Sequence, residues 1–257
     1  MEASIQLSDD PAVRYLLRLG DTCLILAQRT AEWCGHAPVL EEDLALANIA
    51  LDLLGQARGL LTHAGRLEGR DHGEDQLAFL RDERDYCNVT LVELPNRDFA
   101  FTVVRLALMA AWFRVLWERL QRSSDGELAA IASRALREAR YHWQHAGDWV
   151  VRLGDGTDDS AARMHSAVAQ AWLYTAELFD DDEVDASAGA TGLGPRWSDL
   201  RTPWLAEVRA LFAEATLAMP PESRFRSDGK RGRHSEHMGY LLAEMQYLHR
   251  AHPGGAW

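Results

Sequence analysis

Glu138-Ala139-Arg140-Tyr141-His142 lies inside a long helical stretch, about 125–152, that Ser124 or Asp125 opens and that stops near Gly154. A second such stretch holds Asp52-Leu53-Leu54-Gly55. A helix bundle that holds two irons between carboxylates needs a Glu-x-x-His from each of two helices and a further Glu from each of the other two. Here Tyr141 stands three residues after Glu138 and Gly55 three after Asp52, and no glutamate in the chain is followed by histidine at that spacing. The pattern indicates a helical scaffold of this kind without its metal donors.

The rest of the chain supplies the other helices. Asp10 and Pro11 open a first helix, about 10–34, with Val13, Leu16, Leu17, Leu24 and Ala27 at helical spacing. A second, about 41–63, turns Leu46, Ile49, Leu53, Leu54, Ala57 and Leu61 inward, and Glu41, Glu42 and Asp43 suit the positive end of its dipole. A long connection follows, with helical pieces near Asp75–Leu80 and a few extended residues near Thr90–Leu94. The third helix, about 96–121, takes Asn96 or Asp98 as cap. Two helix pairs joined by one long crossover match a ferritin-like four-helix bundle better than a simple up-down bundle. Additional helices are expected at about 160–179, 203–217 and 234–250, with 180–195 as an acidic surface loop. The whole of 1–257 reads as one all-α, ferritin-like domain.

Composition agrees. Hydrophobic residues make up 47%, and Leu and Ala outweigh the β-branched types, which favours helix. A net charge of -12 speaks against nucleic acid or an anionic membrane as partner. Cys23, Cys34 and Cys87 form no C-x-x-C pair and read as ordinary buried thiols of a reducing compartment. The first ten residues lack the apolar core of a signal peptide, and no apolar run approaches the length of a membrane span, so a cytoplasmic protein is expected.

Pairing the helices as antiparallel hairpins sets Asp21 level with Asp52 and Met109 level with Glu138. The expected degenerate site is then Asp21, Asp52, Gly55, Met109, Glu138 and Tyr141. His142, about 100° around the helix from Tyr141, should face elsewhere. Glu118, nine residues from Met109 and so roughly 13 Å along the axis, cannot join Glu138 at one centre. Three facing acids would need a counter-charge, which Arg105 or Arg140 could supply. Taken singly, Asp21, Asp52 and Glu138 are more often paired polar residues than ligands. Trp112, Trp117, Trp143 and Trp149 read as core and interface anchors. Near the end, Arg224, Arg226, Lys230, Arg231 and Arg233 crowd together with Gly229 and Gly232. That segment is either a solvated loop or a contact for the phosphates of a nucleotide-like substrate, or for an acidic partner.

Several blocks are similar to one family: Tyr15–Gly20 with Asp21-Thr22-Cys23; Glu32-Trp33-Cys34-Gly35-His36-Ala37-Pro38; Asp43-Leu44-Ala45-Leu46-Ala47-Asn48-Ile49; Leu51-Asp52-Leu53-Leu54-Gly55-Gln56-Ala57-Arg58. Arg81-Asp82-Glu83-Arg84, Glu138–His142, Thr175–Asp180 and Leu242–Leu248 continue it. Together they resemble the structural, non-catalytic C subunits of the phenylacetyl-CoA ring-epoxidising multicomponent monooxygenases of bacterial phenylacetate catabolism. The resemblance implies a chain that is itself inactive and binds no cofactor. It also implies a homologous catalytic subunit that carries the di-iron centre, an NADPH-dependent reductase component, and phenylacetyl-CoA as substrate of the complex. An independently active metal oxygenase with an unusual acid-rich site, or a plain helical scaffold, are the alternatives.

Overall fold

The computed structural model describes residues 4–253 and Gly255. All regular structure among the described residues is helical, so the chain is all-α as its composition indicates. The helices fall into two compact units, one of residues 1–95 with 227–257 and the other of residues 96–226.

In the first unit, α1 (Pro11–Ala31) and α2 (Leu40–Glu68) form a long hairpin. The Asp10 side chain caps α1 by accepting from the Ala12 N–H, and Pro11 occupies the first turn, where it loses no hydrogen bond. α1 is buried nearly all round, whereas α2 buries a single stripe that includes Leu46, Ile49, Leu53, Gln56, Ala57 and Leu60. α2 runs beyond its expected end at residue 63 and stops at Gly69, whose φ of 68° closes the helix in the left-handed region open to glycine. The crossover then places α3 (Glu74–Phe79) against α2 and α4 (Thr90–Glu93) against α1, and α10 (Glu236–Ala251) packs on both short helices. The extended residues expected at Thr90–Leu94 are therefore one helical turn. β-branched Thr90 and Val92 carry a strand preference, and burial against α1 overrides it.

In the second unit, α5 (Phe99–Leu120) and α6 (Gly126–Gly154) form the other hairpin, capped by Asp98 and Asp125 through the N–H groups of Phe101 and Leu128. α7 (Asp158–Trp172) and α9 (Arg201–Glu214) cover both. The expected helix 160–179 ends at Trp172, and Thr175–Phe179 tightens into a 3-10 turn. The expected loop at 180–195 instead contains α8 (Glu183–Thr191). The Asp182 carboxylate accepts from the N–H groups of Val184 and Asp185, while that of Asp185 accepts from the Asp182 N–H, a reciprocal cap that turns an acidic run into a helix start. Trp112 and Trp117 are fully buried, and the indoles of Trp112 and Trp204 donate to the carbonyls of Leu178 and Leu108. Each of those two indoles thus finds a partner for its one polar group inside the core.

Contrary to expectation, both α2 and α5 are long and apolar enough to cross a membrane by length and composition. The apolar window of α5 is 89% buried within the chain, which makes α5 a core helix of the protein.

Two hairpins separated by one long crossover are the elements of a ferritin-like bundle. The hairpin of the first unit meets its crossover closely at Gly65, where a Cβ would stand 1.9 Å from the His72 carbonyl oxygen. Gly65→Ala is expected to lower stability by about 2 kcal/mol or more, read as a shift of the urea midpoint at constant slope.

Candidate functional site

The inward faces of α2 and α6 correct the expected register. Gly55 and Tyr141 are exposed, Tyr141 to 51%, and Asp52 and Glu138 are only partly covered. The buried neighbours of the expected positions are Leu53 and Gln56 on α2, and Ala139 and His142 on α6. The expected site thus lies about 100° away from the buried face on both helices, and His142, expected to face elsewhere, points inward. Met109 is buried on α5, and the Glu138 carboxylate lies 4.0 Å from the Arg134 guanidinium. The buried residues of α2 also include Glu42 and His63, and those of α6 include His142. Gln56 Oε1 lies 3.6 Å from the thiol of Cys23, itself buried.

Asp21 is fully buried on α1, and its counter-charge is Arg81, from the crossover, instead of Arg105 or Arg140. Arg105 is buried but donates to Asn96 Oδ1, and Arg140 is exposed. Both Nη groups of Arg81 donate to the Asp21 carboxylate, Nη1 at 2.9 Å, and the Cys87 N–H donates to Oδ2 at 2.8 Å. Burial alone would pull the guanidinium pKa down, but the Asp21 charge reverses this and holds it raised. The Tyr86 ring lies 4.2 Å from the guanidinium carbon, and burial pushes its phenol up to about 12. Gln246 of α10 donates to the Arg81 carbonyl and to the Tyr86 hydroxyl.

A second buried pair lies in the same unit. Glu93 accepts from Asn88 Nδ2 at 2.9 Å, from the Ser235 N–H at 2.5 Å and from His234 Nδ1 at 2.7 Å. His234 Nε2 faces the Tyr86 carbonyl at 3.0 Å. Both ring nitrogens meet acceptors, so the doubly protonated imidazolium satisfies both. Burial pulls its pKa down, yet the bond and charge of Glu93 outweigh this and leave it raised.

These donors do not fit a di-iron centre. Asp21 spends its oxygens on Arg81 and Cys87, and Glu93 accepts three bonds from protein groups. Among the described residues no group of three or more His, Cys, Asp and Glu side chains is placed to hold a metal ion. Cys34, expected buried, is exposed, whereas Cys23 and Cys87 are buried.

The basic segment 224–233 does not form one cationic face. Lys230 is buried, Asp228 lies 2.7 Å from Arg231 and 3.6 Å from Arg233, and Arg224 and Arg226 are exposed. The two glycines serve packing: a Cβ on Gly229 would stand 2.6 Å from the Asn88 carbonyl oxygen, and one on Gly232 2.3 Å from that of Arg84. Sequence reasoning misses Glu93, His234 and the role of Arg81. Glu93 and His234 lie 141 residues apart with no local signature. The inward Gln56, by contrast, is marked in the sequence by its place three residues from Leu53.

The arrangement defines a class: an all-α chain of two long helical hairpins separated by one long crossover. The family model described as phenylacetic acid catabolic protein matches residues 1–257, and the chain belongs to that family. Over 243 residues it is 53% identical to the C subunit of the 1,2-phenylacetyl-CoA epoxidase of Escherichia coli (strain K12), a match covering 95% of this chain and 98% of that protein.

Arg81→Met should destabilise the protein by about 3–5 kcal/mol, because it strands the Asp21 charge in the core. Asp21→Leu combined with Arg81→Met should recover much of that loss in chemical denaturation. For His234 the folded pKa lies above the unfolded value of 6.5, so its contribution is complete below 6.5 and fades as pH rises through the folded value. Wild-type stability should therefore fall relative to His234→Gln as pH rises from 6.5 through the folded pKa, measured as the difference of their urea midpoints.

Proposed function

We propose that this chain is the structural, non-catalytic member of a bacterial monooxygenase complex that epoxidises the aromatic ring of phenylacetyl-CoA. One observation carries the reading: a chain similar along 95% of its length to an epoxidase subunit has no Glu-x-x-His anywhere in its sequence. Its partner is a homologous helical subunit that holds the di-iron centre, with electrons supplied by an NADPH-dependent reductase component. The chain itself binds no cofactor, and the complex works in the cytoplasm. Exposed Arg224, Arg226, Arg231 and Arg233 are the members of the basic segment able to meet a CoA phosphate or an acidic partner face, whereas buried Lys230 serves the fold.

What this chain contributes chemically is shape and charge. No Glu-x-x-His occurs in its sequence, and its buried acids Asp21 and Glu93 are already engaged by Arg81 and His234. The purified chain is expected to carry far less than one iron per polypeptide after incubation with ferrous iron and desalting. The homologous Glu-x-x-His subunit, treated identically, should retain about two. Near-stoichiometric iron on this chain alone would show an independently active metal protein instead.

A further inference from the structure

The end of α7 and the start of α9 leave a hollow in the second unit. α7 stops at Trp172, the chain tightens into the 3-10 turn Thr175–Phe179, and α9 begins at Arg201. Beyond α9, Pro220 and Pro221 lack the N–H groups that a further helical turn needs, and the chain runs on without regular structure. It returns to the start of α9, where Glu222 lies 3.1 Å from Arg201. The cavity so enclosed measures about 340 Å³, and every residue lining it belongs to the second unit. Sites for small ligands run from about 300 to 1,000 Å³.

Two kinds of group line it. Trp172 and Trp204 stack with ring centroids 5.6 Å apart, and Phe179 tilts against Trp204 at 4.9 Å. The Trp204 indole spends its N–H on the Leu108 carbonyl, so what it offers the cavity is ring carbon. Around this aromatic wall stand Arg201, Arg209 and Arg226, against the carboxylates of Asp180 and Glu222. In a chain of net charge -12 this hollow carries more cation than anion. Glu222 is committed to Arg201, and Arg226 Nη1 donates to the carbonyls of Ser223 and Phe225. Among the described residues Arg209 has no hydrogen-bond or ion-pair partner.

We propose that this cavity binds a small aromatic carboxylate. The ligand's ring packs against Phe179 and the tryptophan pair, in the offset or edge-on arrangements that aromatic rings prefer. Its carboxylate meets the guanidinium of Arg209, with Arg226 beside the same cavity, because a planar fork of donors matches two carboxylate oxygens. An aliphatic anion leaves the aromatic wall unused, and a neutral ring leaves Arg209 unused. The site is built by this chain alone, and its failure would leave the subunit reading untouched.

The test is calorimetric titration of the purified full-length chain with phenylacetate, a ring and a carboxylate in one molecule, at constant ionic strength. Acetate and 2-phenylethanol are the charge-only and ring-only controls. The expected dissociation constant is about 1 mM or tighter, ordinary for a ligand of about ten non-hydrogen atoms. Both controls should bind at least about fivefold more weakly. Arg209→Gln, at an exposed position, should keep the melting temperature and weaken phenylacetate at least about fivefold without changing 2-phenylethanol. Leu205→Trp, which fills the cavity from α9, should abolish binding of both. Should that variant fail to fold, Ala176→Phe fills the cavity from the 3-10 turn. No binding of phenylacetate up to about 10 mM overturns the proposal. So does equal affinity for 2-phenylethanol, which would leave the arginines without a part. Wild-type affinity in both Arg209→Gln and the cavity-filling variant places the binding elsewhere and overturns it too.

Discussion

Asp21 is a carboxylate with no exposed surface, set in a helix that is buried nearly all round, and such a charge has to be neutralised where it stands. The Arg81 guanidinium does this with two parallel donors, and the Cys87 N–H adds a third. Because Arg81 and Cys87 belong to the crossover, the pair ties that long connection to α1. The tie then reaches the C-terminal helix: Gln246 and Arg250 both donate to the Arg81 carbonyl, and Gln246 also holds the Tyr86 hydroxyl beside the guanidinium. One buried charge thus organises segments drawn from three parts of the sequence. Bidentate geometry matters here, since a lysine would neutralise the charge without holding both oxygens in one plane.

The helices are largely legible in the sequence because their ends carry chemistry that acts locally. Asp10 with Pro11, Asp98 and Asp125 each cap the helix they are expected to open. The departures have physical causes. Thr90 and Val92 suggest strand because β-branching is a local preference, and burial decides otherwise. The acidic run after Asp180 suggests a loop on charge alone, although Asp182 and Asp185 stand at the interval of a reciprocal cap. The correct register is also present in the sequence. Leu53 belongs to the buried stripe of α2, so the residue sharing its face three positions on is Gln56, and Asp52 with Gly55 must lie about 100° away. The same reasoning makes His142, beside Ala139, the inward member on α6. The ion pairs are not legible at all. Nothing local to Asp21 names Arg81, and nothing near Glu93 names His234.

The buried acids Asp21 and Glu93 of the first unit are each matched by an internal cation. In a carboxylate-bridged metal bundle the buried acids depend on the ions for their neutralisation, so an empty bundle carries uncompensated charge. Here the buried Asp21 of α1 is matched by Arg81, a cation covalently part of the chain. Glu93 repeats the solution with His234 and with donors from Asn88 and Ser235, again joining the crossover to the C-terminal segment.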